Sequence, residues 1–160
     1  MTVRNAEEAE VDRLAEIWWH GWRDAHLEIL PAELARRRTR SSFRGRLLER
    51  LLDVRVAGPS GAPVGFHLVQ QDELYQLYVA EASRGAGIAA SLLADAETRM
   101  ADGGVETAWL ACAIGNERAA RFYEKHGWRR TGIVTSHLAT DEGPFRLDVW
   151  RYEKSLRHHG

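Results

Sequence analysis

The chain has 160 residues, of which 44% are hydrophobic and 28% charged, and its formal net charge is −1. These values are typical of one soluble globular domain and give no overall attraction to nucleic acid or to an anionic membrane. The sequence lacks an apolar run of about 18 residues, an apolar leader after its acidic N-terminus, and a second cysteine to pair with Cys112. We therefore expect a single cytoplasmic domain over residues 1–160, its last few residues a disordered tail, with neither nucleic acid nor membrane as partner.

The first third of the chain predicts one strand followed by helices. A short apolar start at residues 2–4 is compatible with a strand. Apolar residues then recur every three or four positions between 7 and 26, which predicts an amphipathic helix. Pro31 suits the first turn of a second helix that runs, continuous or broken, to about Leu52.

This second helical segment is rich in arginine. Its seven arginines are Arg36, Arg37, Arg38, Arg40, Arg44, Arg46 and Arg50. Such a segment could attract an acidic acceptor or nucleic acid. Because Glu33 and Glu49 are interspersed and the total charge is near zero, a solvated helix face is favoured instead.

The remaining elements alternate between strands and helices. Residue types and turn signals predict six strands, at 54–57, 64–69, 73–80, 105–113, 128–138 and 145–152. Helical periodicity predicts helices at 87–100 and 116–126, each ended by glycine, and Asn116 is a good N-cap for the second. This order is that of an α/β domain with a mixed sheet.

A glycine turn between the 73–80 strand and the 87–100 helix is the most informative feature. Gly85 and Gly87 place no side chains before a helix N-terminus, where N–H groups lack partners and the helix dipole is positive. The turn favours a phosphate or pyrophosphate, although a connection that binds nothing is equally open on this feature alone. A dinucleotide fingerprint fits poorly because Ala90 replaces its third glycine, and a Walker loop lacks its Gly-Lys-Ser/Thr.

Two motifs in register carry a family resemblance. Arg84-x-x-Gly87-x-Ala89 resembles the Gln/Arg-x-x-Gly-x-Gly/Ala acyl-CoA motif of the GNAT superfamily of N-acyltransferases. A second stretch resembles that superfamily's Asn-x-x-Ala-x-x-Phe-Tyr-x-x-x-Gly-Phe signature, with tryptophan in place of the last phenylalanine. Its matching residues are Asn116, Ala119, Phe122, Tyr123, Gly127 and Trp128. The resemblance is specific from 74 to 128 and loose before 54.

The resemblance implies a mixed, mostly antiparallel sheet with a splayed pair of parallel strands and about four flanking helices. It also implies that backbone N–H groups of the turn hold the CoA pyrophosphate, and that the end of the 73–80 strand pairs with the pantetheine arm. The implied cofactor contacts are Tyr78, Val79, Arg84, Gly85, Ala86, Gly87, Ile88, Ala89, Ala90, Asn116, Ala119, Phe122 and Tyr123.

The resemblance makes Tyr123 the acid that protonates the departing CoA thiolate, since a phenol keeps its proton at pH 7; a core tyrosine is the alternative. Asn116 and Phe122 likewise keep structural alternatives, as a helix cap and a core side chain. The general base is open between Glu73, the first candidate, and His67, because the strand register decides where each side chain points.

The resemblance places the acceptor between the first two helices and the last strand pair. Trp19, Trp22, His26 and His67 are the candidates there, although Trp22 is equally typical of a core residue. Cys112 is expected to be inert in the sheet. The spacing of His, Cys and Asp residues suggests no metal site.

These observations predict an N-acetyltransferase that moves an acetyl group from acetyl-CoA, its co-substrate, to a primary amine by direct attack in a ternary complex. A small-molecule amine is favoured over a peptide. A protein N-terminal or lysine acetyltransferase and a non-catalytic acyl-CoA-binding regulatory domain are the alternatives. A homodimer is compatible with the family resemblance.

Overall fold

The computed structural model describes residues 2–157, in which one seven-stranded sheet is flanked by five α-helices. The strands are β1 (Val3–Asn5), β2 (Val54–Ala57), β3 (Gly65–Gln70), β4 (Glu73–Val79), β5 (Thr107–Ala113), β6 (Arg129–Leu138) and β7 (Phe145–Ser155). The helices are α1 (Val11–His26), α2 (Ala32–Arg37), α3 (Arg40–Glu49), α4 (Ile88–Asp102) and α5 (Glu117–Lys125). The end of the expected disordered tail, 158–160, lies outside the described residues.

The sheet has the order β1-β2-β3-β4-β5-β7-β6, and all its neighbours are antiparallel except β4 and β5. This arrangement confirms the predicted mixed, mostly antiparallel sheet. The predicted elements match the observed ones closely in position, including the 87–100 helix, which ends at Asp102 before two glycines.

The second predicted helix is broken into α2 and α3, which brings the number of helices to five. The break has a local cause: Thr39 caps α3, its Oγ1 accepting the N–H of Ser42 at 3.0 Å while Ser42 Oγ accepts the N–H of Thr39 at 3.0 Å. The placement of Pro31 in the first helical turn was wrong. Pro31 is extended and precedes the helix as its N-cap.

One core lies between the sheet and the α1–α3 layer. Trp18 of α1 is fully buried, stacks on Phe43 of α3 with ring centroids 4.5 Å apart, and lies 5.7 Å from the ring of Phe66 on β3. A second core lies on the opposite face, where α4 and α5 cover residues such as Leu110. Burial of rings and aliphatic side chains on both faces fixes the sheet between two helical layers.

The parallel pair β4–β5 is splayed. Its register joins only Glu73 to Trp109, and the strands separate beyond that pair. On the other edge of β4, Leu68 of β3 opposes Gln76 and Val69 opposes Leu74, so Tyr75 is a bulge residue without a partner. A bulge bends and twists its strand, which helps to open the gap toward the carboxyl ends of β4 and β5.

Across residues 2–157, none of the helices combines the length and the apolar character needed to span a bilayer.

Candidate active site

The splayed strands open a cavity of about 360 Å³ that passes from one face of the sheet to the other. On one side its wall includes Ala89 of α4 and Tyr123 of α5. On the other side α1, α2, β6 and β7 supply the wall, for example through Trp22 and Leu138. Because backbone groups that face the gap have no neighbouring strand, an extended amide-bearing ligand could satisfy them.

The glycine turn opens at one end of this cavity. Gly87 is the N-cap of α4 and has a left-handed φ of 78°, which favours glycine. The first N–H of α4 with an intrahelical acceptor is that of Ser91, which donates to the Gly87 carbonyl at 3.1 Å. In the described chain the preceding N–H groups of Ile88, Ala89 and Ala90 have no backbone acceptor. The turn therefore presents an anion site at a 15-residue helix.

Two arginines flank the turn and share one carboxylate. Arg84 donates to Asp24 of α1 at 3.0 Å, and Arg118 of α5 lies 3.5 Å from the same oxygen. Both arginines line the cavity. The hydrogen bond from Arg84 lowers the pKa of Asp24. Two guanidinium groups and one carboxylate thus leave a net positive charge beside the helix N-terminus, where a phosphate could bind.

Helix α5, which follows β5, also contributes side chains to the wall of this gap. The Oδ1 atom of Asn116 accepts the N–H of Ala119 at 3.2 Å, so the predicted N-cap is confirmed, and Asn116 also lines the cavity. Tyr123 packs edge-on against the rings of Phe122 and Trp128, with centroids 5.2 and 6.1 Å away. Burial of its phenol raises the pKa of Tyr123, which keeps the hydroxyl protonated at neutral pH.

The geometry agrees with what the comparisons with known proteins show. The family model described as Acetyltransferase (GNAT) family matches residues 11–128. The chain belongs to this GNAT acetyltransferase family. An uncharacterized N-acetyltransferase of Mycobacterium tuberculosis is 38% identical over 66 residues, which cover 41% of this chain and 42% of that protein. The match therefore spans less than half the length of the curated relative.

Two solved structures share the fold of this chain. A GCN5-related N-acetyltransferase from Rhodopseudomonas palustris has a TM-score of 0.76 at 20% identity, over 96% of this chain and 94% of that one. The PaiA N-acetyltransferase from Thermoplasma acidophilum, solved in complex with coenzyme A, has a TM-score of 0.73 at 21% identity, over 96% and 98%. Both similarities support the same α/β architecture.

Glu73 lies at the vertex of the splay, where the cavity meets a second, polar pocket. Burial raises the pKa of Glu73 to about 7, the nearby Asp72 carboxylate adds to the increase, and Arg151 opposes it. Asp72 is held in place by the indole of Trp109, which donates to it at 3.0 Å. A carboxylate that changes charge near pH 7 is well suited to accept a proton in catalysis.

The raised pKa of Glu73 has a consequence for stability. Between its unfolded value of 4.5 and its folded value of about 7, the folded protein holds the proton more tightly than the unfolded chain. The charged side chain therefore destabilises the fold above pH 7 and not below pH 4.5. We expect Glu73→Gln to raise the urea midpoint at pH 8 and to change it little at pH 4.5. The exposed Glu81, replaced by glutamine, is the control; an equal shift at both pH values for Glu73→Gln would contradict this account.

Tyr78 approaches α1 unusually closely. A Cβ on Gly21 would lie 2.5 Å from Cδ1 of Tyr78, so only glycine at this position of α1 lets the ring take its place in the cavity wall. Burial raises the pKa of Tyr78. Cys112 lies in the same wall, where burial raises its pKa to about 12 and keeps it a thiol, as expected for an inert cysteine.

Of the four acceptor-site candidates, two line the cavity and two, Trp19 and His67, do not. Trp22 and His26 line the cavity, with ring centroids 5.0 Å apart. Burial lowers the pKa of His26 to about 4, and its Nδ1 donates to the Trp22 carbonyl at 2.8 Å, so Nε2 is left as an acceptor. Trp19 lies outside the cavity wall, under the guanidinium of Arg40 at 3.9 Å.

His67 also lies outside the cavity wall, which corrects its assignment as a base or acceptor contact. It is fully buried, and its Nε2 bonds to Asp95 of α4 at 2.7 Å. The physical reason is strand alternation: His67 opposes Leu77 in the register and faces α4. Burial lowers the pKa of His67, and Arg55 binds the same Asp95 carboxylate at 3.1 Å. The residue links β3 to α4.

Several cavity residues were not found from the sequence. Arg38, Gln76, Arg118 and Ser136 all line the wall. The arginines did carry a signal, since Arg118 lies inside the second signature and Arg38 in the arginine-rich segment, but nothing separated them from solvated neighbours. Across the described residues, no group of three or more His, Cys, Asp or Glu side chains is arranged to hold a metal ion.

Proposed function

We propose that this GNAT acetyltransferase transfers an acetyl group from acetyl-CoA to a primary amine by direct attack in a ternary complex. The observation that carries the proposal is the cavity through the splayed strands, because it joins an anion-binding helix N-terminus on one face to an enclosed wall of side chains on the other. Such a passage lets two substrates meet between β4 and β5. The similar T. acidophilum structure, which contains coenzyme A, supports the choice of donor.

The proposed roles of the protein groups follow from their positions. The N–H groups at the start of α4, with Arg84 and Arg118, hold the CoA phosphates. Glu73 accepts the proton that the amine loses as its nitrogen bonds to the acetyl carbon. Tyr123 donates its proton to the thiolate as the carbon–sulfur bond breaks. The second, polar pocket beside Glu73 gives that proton an exit to solvent.

A small-molecule acceptor is favoured because the wall around the acceptor side is contributed by several elements that enclose the cavity. Trp22, Leu34, Leu138 and Leu147 supply much of this wall. A protein N-terminus or lysine side chain would need an open groove leading to the gap. Acetylation of a peptide in preference to any free amine would overturn this choice of acceptor.

The test of the proposed function is release of the CoA thiol from acetyl-CoA in the presence of a panel of primary amines, with the products identified by mass spectrometry. We expect amine-dependent release of CoA and an N-acetylated product. Tight binding of acetyl-CoA without transfer to any amine or peptide would instead identify a non-catalytic acyl-CoA-binding domain.

The proposed role of Glu73 makes a prediction about pH. In the wild type, kcat/KM expressed per neutral amine should rise with pH and level off above about pH 7, as Glu73 loses its proton. Glu73→Gln should lower kcat/KM by about 100-fold and remove this rise with pH, because a water molecule alone is a poorer base. The measurement is the pH profile at saturating acetyl-CoA.

Asp72→Asn is the matched control for this experiment. It keeps an oxygen that can accept from Trp109 but removes the charge that raises the pKa of Glu73. The rise of kcat/KM should therefore occur at lower pH, with little loss of maximal activity. Dividing the kcat/KM of the wild type by that of Asp72→Asn at each pH cancels the ionisation of the amine, which is the same in both. If the pH profile of Asp72→Asn were identical to that of the wild type, the rise of kcat/KM with pH would not come from Glu73.

A further inference from the structure

Arg38 is a buried cation in the wall of the acceptor side of the cavity. It follows α2 as its C-cap, and the side chain is 5% exposed. Its Nη1 donates to the carbonyl of Ala139, in the loop after β6, at 2.7 Å. Its Nε, also buried, has no hydrogen-bond partner in the described chain. Such a donor is costly to bury unless something else accepts from it.

Four other arginines of the 36–50 segment have acidic partners. Arg36 and Arg37 bind Glu33, Arg40 binds Glu16, and Arg44 binds Asp12. Within residues 2–157, no carboxylate lies within 4.0 Å of Arg38. The expectation of a solvated helix face therefore holds for the exposed Arg36, Arg40 and Arg44 and is wrong for the buried Arg38.

The groups around Arg38 leave its charge without a close counterion. Burial lowers the pKa of Arg38, yet a guanidinium remains charged at neutral pH. Arg46 is a second cation on this side, with its guanidinium over the rings of Trp18 and Tyr75 at 5.1 Å. Two groups oppose the effect of burial on the pKa of Arg38, first the phenol of Tyr78 and then the exposed Asp141, each with a smaller influence than burial itself. His26 is neutral at pH 7 and adds no charge.

We propose that the amine acceptor carries a carboxylate, and that Arg38 binds it. This inference rests on the proposed acetyl transfer and names the class of its acceptor. The Nε and Nη2 edge of the guanidinium, which has no hydrogen-bond partner in the described chain, matches the two oxygens of a carboxylate. The surrounding wall of Trp22, Leu34, Leu138 and Leu147 accepts an apolar body. Arg38 is thus the residue that selects an amino acid-like acceptor over a neutral amine.

The experiment compares amines with and without this charge, each kcat/KM being expressed per neutral amine. The pairs are L-leucine with L-leucinamide, and γ-aminobutyrate with butylamine; the aminophosphonate analogue of leucine tests a phosphate-like anion. We expect kcat/KM of the wild type to favour a carboxylate over its neutral counterpart by about 100-fold, because a site built around a charged donor rejects a ligand that cannot pair with it. Equal or better use of the neutral amines would overturn the proposal, and preference for the phosphonate would overturn the choice of carboxylate.

Three variants assign the selectivity to Arg38. Arg38→Met should erase it, by lowering kcat/KM for the carboxylate about 100-fold more than kcat/KM for the neutral amine. Arg38→Lys, which keeps a donor for Ala139 but loses the planar fork, should retain part of the selectivity. Arg36→Met is the matched control, since Arg36 also contacts the loop after β6, through Glu142, but lies outside the cavity wall. Undiminished selectivity in Arg38→Met would overturn the proposal.

A second readout separates this inference from the proposed function. Calorimetric binding of L-leucine and γ-aminobutyrate to the protein with CoA bound requires no transfer. If the wild type binds either carboxylate and Arg38→Met does not, the anion site is supported even when no amine is acetylated. In that case the proposed function alone has failed. Transfer to neutral amines with no binding of either carboxylate would support the function and overturn the anion site.

Discussion

Gly87→Glu is expected to abolish acetyl-CoA binding, with a loss of affinity of at least about 1,000-fold. Nothing lies within 4 Å of a Cβ built on Gly87, so the new side chain would extend into the space before α4 rather than into the protein. Its carboxylate would compete with the pyrophosphate for the N–H groups of Ile88, Ala89 and Ala90. It would also repel the phosphates at short range, where the helix dipole now attracts them.

Gly104→Glu is the control for backbone strain. Gly104 has a φ of 92° just after α4, close to the 78° of Gly87, and nothing lies within 4 Å of a Cβ built on it. Both variants thus carry the cost of a left-handed non-glycine residue, about 1–2 kcal/mol, but only one faces the anion site. Isothermal titration with acetyl-CoA should show binding by Gly104→Glu and none by Gly87→Glu. Equal binding by the two would place the pyrophosphate elsewhere.

Local signals explain why the elements, the glycine turn and the cap of α5 were predictable. The strand, glycine turn and helix around Gly87 depend on backbone chemistry that neighbouring residues reveal, and so does the Asn116 cap. The family motifs then link these elements. Even the break between α2 and α3 is local, since Thr39 and Ser42 form a capping box that could have been read from the chain.

The acceptor side could not be predicted, because it depends on where distant residues meet. The role of His67 depends on strand register, which turns it toward Asp95 and away from the cavity. The arginines of 36–50 look alike in sequence, and only the fold reveals that Arg38 is buried without a carboxylate. Likewise, the bulge at Tyr75 and the contact of Tyr78 with Gly21 require two elements to be placed side by side.

The chemical character of Glu73 also depends on the fold. An isolated glutamate has a pKa of 4.5, too low for an effective base near pH 7. Its position at the vertex of the splay supplies both the burial and the neighbouring charge of Asp72 that bring the value to about 7. The splay thus opens the cavity proposed to join two substrates and, at the same point, creates a carboxylate whose pKa suits the proposed proton transfer.

Tyr123→Phe is expected to lower kcat by about 1,000-fold while the dissociation constant of acetyl-CoA changes little. The variant keeps the ring, and with it the packing against Phe122 and Trp128, but removes the only proton that the side chain can donate. A thiolate that leaves without a proton donor in a cavity of low polarity is poorly stabilised, so the loss should appear in the chemical step. Presteady-state release of the CoA thiol measures that step directly.

Tyr78→Phe tests whether the effect belongs to Tyr123. Both tyrosines line the cavity, burial raises the pKa of both, and each contributes a phenol from a different element. If Tyr123 is the acid, Tyr78→Phe should retain most of the wild-type kcat. A large loss in Tyr78→Phe with a normal Tyr123→Phe would assign the proton to β4 instead of α5. Because Gly21 brings the ring of Tyr78 against α1, that result would also mean that the acid reaches the thioester from the acceptor side of the gap.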